Sequence, residues 1–117
     1  MKLFIDTGSV AEVEEIAAWG VLSGATTNPS LLAKEEGDPG ESIRRICELV
    51  DGPVSAEVVS DNARDMVAEG RALAGLDDRV VVKVPFSEEV AVVDNENVDD
   101  TLAQLMQLVL DAVQEVQ

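Results

Sequence analysis

The stretch VVVKVP, residues 80–85, sets a lysine inside a run of valines. An ammonium group is costly to remove from water, so aliphatic neighbours favour the uncharged amine, and buried lysines can lose several pKa units. A neutral lysine adds to carbonyl carbons and forms an iminium, an electron sink for breaking or making an adjacent carbon–carbon bond. Such chemistry needs proton carriers, and Asp6 and Glu57 are suited to the proton movements of carbinolamine formation and retro-aldol cleavage. Thr26, Thr27 and Asn28 add hydroxyl and amide groups that could hold a hydroxylated substrate. Each residue also has a structural reading. Asp6 could cap the first helix, Thr27 or Asn28 could cap the helix opened by Pro29, and Glu57 could simply neutralise Lys83.

These residues share a position in the secondary-structure pattern. Lys2–Asp6 is a short apolar strand, and Ser9 with Glu12 three residues later forms a capping box before Val10, Val13, Ile16 and Ala17 at helical spacing. Val21–Ala25 reads as a second strand, followed by Thr26-Thr27-Asn28 and a helix begun by Pro29. Gly37, Pro39 and Gly40 predict a loop before a helix over Glu41–Val50. Val54–Val59 is a third strand, Ser60 or Asp61 caps a helix running through Ala74, and Arg79–Pro85 is a fourth strand. Its unbroken valines suit a strand buried on both faces of a parallel sheet.

Strand and helix alternate, so the fold class is α/β, built of parallel βα units with right-handed crossovers. Asp6, Thr26 to Asn28, Glu57 and Lys83 then stand at the carboxyl ends of the four strands, where the loops of βα folds leave a crevice that the helices do not fill. Beyond Pro85 the pattern changes. Ser87–Val93 suits a short helix or a strand, and Val98, Leu102, Leu105, Val109, Ala112 and Val116 mark a long helix with coiled-coil spacing. That helix can lie on the domain's own sheet or meet another chain.

The 117 residues suit one domain, yet are about half of what a closed eight-stranded βα barrel needs, roughly 250 residues. Eight basic residues against 24 acidic ones give a formal charge of −16, which disfavours nucleic acid and anionic membrane as partners. No apolar run approaches the roughly 20 residues that span a bilayer. MKLFID is too short for a signal-peptide core, so the expected location is the cytoplasm. Cys47 falls on the apolar face formed by Ile43, Ile46 and Val50, the place of a buried, inert thiol.

LFIDTGSVAEVEEIAAWGVLSGATTNPSLLAKE, GPVSAEVVS and VVVKVP resemble, in order and spacing, the small transaldolase and fructose-6-phosphate aldolase family over residues 1–86. The resemblance implies a TIM-barrel βα fold and Schiff-base, or class I, transfer of a dihydroxyacetone unit between sugar phosphates, with no metal or cofactor. The activity implied is that of a transaldolase, a transferase of aldehyde or ketone groups, or of a fructose-6-phosphate aldolase-like lyase. By position, Lys83 would be the Schiff-base lysine and Asp6 the acid/base. Asn28, with Thr27 beside it, would hold substrate hydroxyls, and Glu57 with Thr26 or Thr27 would place the catalytic water. A glutamate at position 57, where the aldolase branch resembles a glutamine-bearing version, tilts the expectation toward transaldolase.

The chain also departs from that pattern. In the family, strands five to eight follow the KVP strand and supply a phosphate pocket, whereas residues 87–117 show no matching segments and carry no Lys or Arg. The expectation is a four-stranded half-barrel over residues 1–86, joined within one domain to a linker and C-terminal amphipathic helix over 87–117. Four curved strands would leave raw edges that invite pairing with another chain, so a homo-oligomer, most simply a dimer, is expected. The alternative to catalysis is a truncated or engineered half-barrel that acts as an oligomerising structural fragment.

Overall fold

A computed structural model of the chain describes residues 1–85. It contains β1 (Leu3–Asp6), α1 (Val10–Ala17), β2 (Leu22–Thr26), α2 (Pro29–Leu32), α3 (Pro39–Leu49), β3 (Val54–Glu57), α4 (Ala63–Ala74) and β4 (Val80–Lys83). The strands form one parallel sheet in the order β1-β2-β3-β4. This is the α/β arrangement of a partial βα barrel. The expected tail helix and the Ser87–Val93 segment lie outside the described residues.

The helices begin where short polar side chains take up the unpaired amides of the first turn. Ser9, Asn28, Asp38 and Asn62 each accept from the backbone N–H three residues on. The capping box at α1 is relayed: the Thr7 hydroxyl donates to Glu12 Oε2 at 2.8 Å and accepts from the Ser9 N–H at 3.0 Å. Two expectations are corrected. Pro39 and Gly40 form the first turn of α3 and not a loop, because Asp38 caps it and Pro39 lacks the N–H that this turn cannot use. The cap of α4 is Asn62 and not Ser60 or Asp61. Its Oδ1 accepts from the Asp65 N–H at 3.0 Å, while the Ser60 hydroxyl is engaged by Glu69.

The core lies between the helices and one face of the sheet. Ala25, Val54, Ala56, Val80 and Val82 on the strands meet Val13 of α1, Ile43, Ile46 and Cys47 of α3, and Met66 of α4, all buried. Each fully buried valine or isoleucine contributes about 1.5–3 kcal/mol relative to exposure. Strand alternation sends the next residues to the opposite face, so the strand burial pattern reads buried, half-buried, buried, half-buried in both β3 and β4. The expectation that β4 is buried on both faces is therefore corrected. Val80 and Val82 are core, whereas Val81 and Lys83 lie on the face turned away from the helices, which the described residues leave open.

Gly8 fixes the loop after β1. A Cβ there would stand 2.7 Å from the backbone carbonyl of Leu31, so only glycine lets this loop rest against α2.

Candidate active site

The parallel register lines up the strand ends. Asp6 stands beside Thr26, Thr26 beside Ser55, and Ser55 beside Val81, while one pleat further on Glu57 stands beside Lys83. In-register neighbours in a parallel sheet share a face, as do residues two apart in a strand. Asp6, Thr26, Glu57 and Lys83 thus all lie on the face away from the helices, at the carboxyl end of the sheet.

Two close contacts organise this face. The Thr26 hydroxyl donates to Asp6 Oδ1 at 2.8 Å, which holds the carboxylate across the β1–β2 pair. Lys83 Nζ lies 3.4 Å from Glu57 Oε2. Side-chain exposure is 42% for Lys83 and 21% for Glu57. The expectation of a lysine dried by surrounding valines is corrected here. The valines flanking it in sequence pack against the helices, and its own face offers the carboxylate of Glu57 and solvent.

Thr27 and Asn28 sit just beyond β2. Thr27 is completely buried, and its hydroxyl donates to the Ser55 carbonyl at 2.7 Å while its N–H donates to the same oxygen at 3.0 Å. It ties β2 to β3 and does not face the open side. Asn28 caps α2 through Oδ1, which accepts from the Leu31 N–H at 2.9 Å, leaving the amide NH₂ to face a ligand. Asp6, by contrast, caps no helix; Ser9 does so for α1.

A cavity of about 420 Å³ opens at these strand ends, lined by Asn28, Ser30 and Glu57 together with Pro29, Val58, Val59 and Pro85. It holds an amide, a hydroxyl and a carboxylate between apolar walls, a lining suited to a small hydroxylated molecule. Sequence reasoning did not single out Ser55 or Glu69. Ser55 Oγ is buried without a hydrogen-bond partner among the described residues, on the same face as Glu57 and Lys83. Its place two residues before Glu57 in a strand was the signal available. Glu69 accepts from the amide of Val59, which lines the cavity, and from that of the adjacent Ser60, contacts ten and nine residues distant that no local pattern announces. Among the described residues, no group of three or more His, Cys, Asp or Glu is placed to hold a metal ion, and no helix is long and apolar enough to cross a membrane.

A parallel βα sheet with a lysine–carboxylate pair and a second, threonine-held carboxylate on one face of its carboxyl end defines the barrel-type α/β class of proteins. Comparison with known proteins narrows this class. The family model for transaldolase/fructose-6-phosphate aldolase matches residues 3–96, and the chain belongs to that family. The match continues ten residues past the stretch over which the resemblance is read directly. Relatives include a probable transaldolase of Symbiobacterium thermophilum, 55% identical over 89 residues that cover 76% of this chain and 41% of that protein. A probable transaldolase of Thermus thermophilus is 53% identical over 98 residues, covering 76% and 44% respectively. The chain therefore spans less than half the length of these relatives.

Proposed function

We propose that this chain carries the amine-bearing half of a transaldolase-type site, in which Lys83 forms a Schiff base with a ketose. The observation that supports the reading most is the Lys83–Glu57 contact at 3.4 Å on the same face as the Thr26-held Asp6. Once its proton has passed to Glu57, the amine of Lys83 adds to the ketone carbonyl, and Glu57 returns the proton that lets the resulting hydroxyl leave as water, giving an iminium. Asp6 then takes the proton of the hydroxyl on the fourth carbon. The bond between the third and fourth carbons breaks, its electron pair enters the iminium, and an aldehyde departs, leaving an enamine on Lys83. Addition of that enamine to an acceptor aldehyde, followed by hydrolysis, completes the transfer of a dihydroxyacetone unit. The Asn28 amide donates to a substrate hydroxyl, a role supported by its position on the cavity wall, and of the two threonines Thr26 serves by orienting Asp6.

A second reading has its own support. Among the described residues, the outer edges of β1 and β4 have no strand partner, and Lys83 is the one cation at the strand-end cluster. A chain that assembles through these edges and serves as a structural half-barrel fits both facts. Incubation with fructose 6-phosphate and borohydride separates the readings. Transaldolase chemistry predicts a reduced adduct on Lys83, absent from a folded Lys83→Met variant. The structural reading predicts no adduct on either protein.

A further inference from the structure

We propose that Glu69 of α4, which does not line the cavity, is a positioning residue whose carboxylate sets the cavity's β3 wall and thereby its affinity for a small hydroxylated ketone. This rests on the reading that the strand-end cavity takes the hydroxylated substrate. The last rung of the sheet on this side is the Val58 N–H, which donates to the Lys83 carbonyl at 3.1 Å. Beyond it the chain leaves the sheet, and the next two amides need acceptors elsewhere. Glu69 supplies both: its Oε1 accepts from the Val59 N–H at 2.7 Å, and its Oε2 accepts from the Ser60 N–H at 3.0 Å and from the Ser60 hydroxyl at 2.6 Å.

Three donors converging on one carboxylate make a charge-assisted clamp that only an ionised acid supplies in full. Burial raises the Glu69 pKa, as does the nearby Asp65, but the hydrogen bonds from Ser60 and Val59 outweigh them and hold the carboxyl below its ordinary range. The clamp is anchored on a helix whose Met66 and Gly70 are buried, so the carboxylate is fixed from behind. What it fixes is functional surface. Val58 and Val59 line the cavity immediately after Glu57, and Val59 is held there with 70% of its surface exposed. Apolar side chains gain nothing from such exposure, so the loop's conformation comes from the clamp and not from burial of Val59.

The test is a titration of the isotope-labelled full chain with dihydroxyacetone, followed by amide shifts in the magnetic resonance spectrum. In the unaltered chain, the amides of Ser30 and Val59 should move together toward saturation. Glu69→Gln keeps one acceptor oxygen and should weaken the dissociation constant severalfold. Glu69→Ala should weaken it by roughly tenfold, the factor expected for a lost charge-assisted hydrogen bond. A Glu14→Gln variant controls for the change in net charge. Circular dichroism and thermal melting confirm that each variant is folded, and affinity is compared only among folded proteins. A folded Glu69→Ala chain that binds with the original constant overturns the proposal, as does an unaltered chain whose Ser30 and Val59 amides do not respond. If those amides respond and the Glu69 variants bind more weakly but borohydride traps nothing on Lys83, the Schiff-base reading falls and the role of Glu69 stands.

Discussion

At the scale of single residues, the chemistry proposed for this chain rests on what strand alternation does to side chains of known type. Asp6, Thr26, Glu57 and Lys83 were legible in sequence because polar residues at the ends of apolar strands stand out, and the register brings all four to one face. Their surroundings were less legible. A valine run reads as buried on both sides, yet what covers the second face depends on chain beyond the strand itself, and Lys83 remains half exposed. Thr27 and Thr26 look alike in sequence but diverge, since the alternation of β2 carries on into the residue just beyond it and turns Thr27 to the opposite face. Cys47 followed its sequence pattern closely. It is 1% exposed, and burial pushes its thiol up to about 11, with Asp77 adding to the effect and Arg79 opposing it. The folded pKa thus exceeds the thiol's ordinary value of 9.0. The stability linked to this thiol is complete below pH 9 and is lost as pH rises toward 11. Cys47 should therefore resist iodoacetamide at pH 8 in the native protein and react within minutes in denaturant, as followed by intact mass. Equal labelling rates in both states would show that the α3 packing is wrong.

At the scale of elements, caps set where the helices begin, and a short polar run offers more than one candidate cap. Ser60, Asp61 and Asn62 are all capable of capping α4, and the choice falls to Asn62 because Glu69 has already engaged Ser60. That competition is invisible locally, since Glu69 lies more than a helical turn inside α4. The Pro39-Gly40 pair likewise reads as a loop until Asp38 is recognised as the cap in front of it. The packing of α3 against the sheet can be tested directly. Ile46 is completely buried among core residues of the strands, so Ile46→Ala should lower unfolding free energy by about 2–5 kcal/mol in urea titration. A loss under about 0.5 kcal/mol, the range of surface substitutions, would contradict the burial described.

At the scale of the whole molecule, four parallel strands and their helices make a sheet whose two outer strands each have one edge without a strand partner among the described residues. Leu3 and Phe4 of β1 are 42% and 49% exposed at one of those edges, an apolar border of the kind that pairs with other strands. A formal charge of −16 on each copy opposes such pairing at low ionic strength. Light scattering at micromolar concentration should therefore show dimer mass at about 1 M salt, where the Debye length falls to about 3 Å, and a shift toward monomer at low salt. Monomer mass throughout would show that these edges do not pair. The βα order and parallel sheet were legible from alternation alone, whereas the state of assembly depends on surfaces that one chain's pattern does not reveal.

Lys83 is one of three lysines in the chain, with Lys2 and Lys34, and the Schiff base proposed here requires that it alone react. Borohydride reduction in the presence of dihydroxyacetone, followed by peptide mass analysis, measures this most directly. The expected result is a reduced adduct on Lys83 with Lys2 and Lys34 unmodified. No adduct, or equal modification of all three lysines, would contradict it.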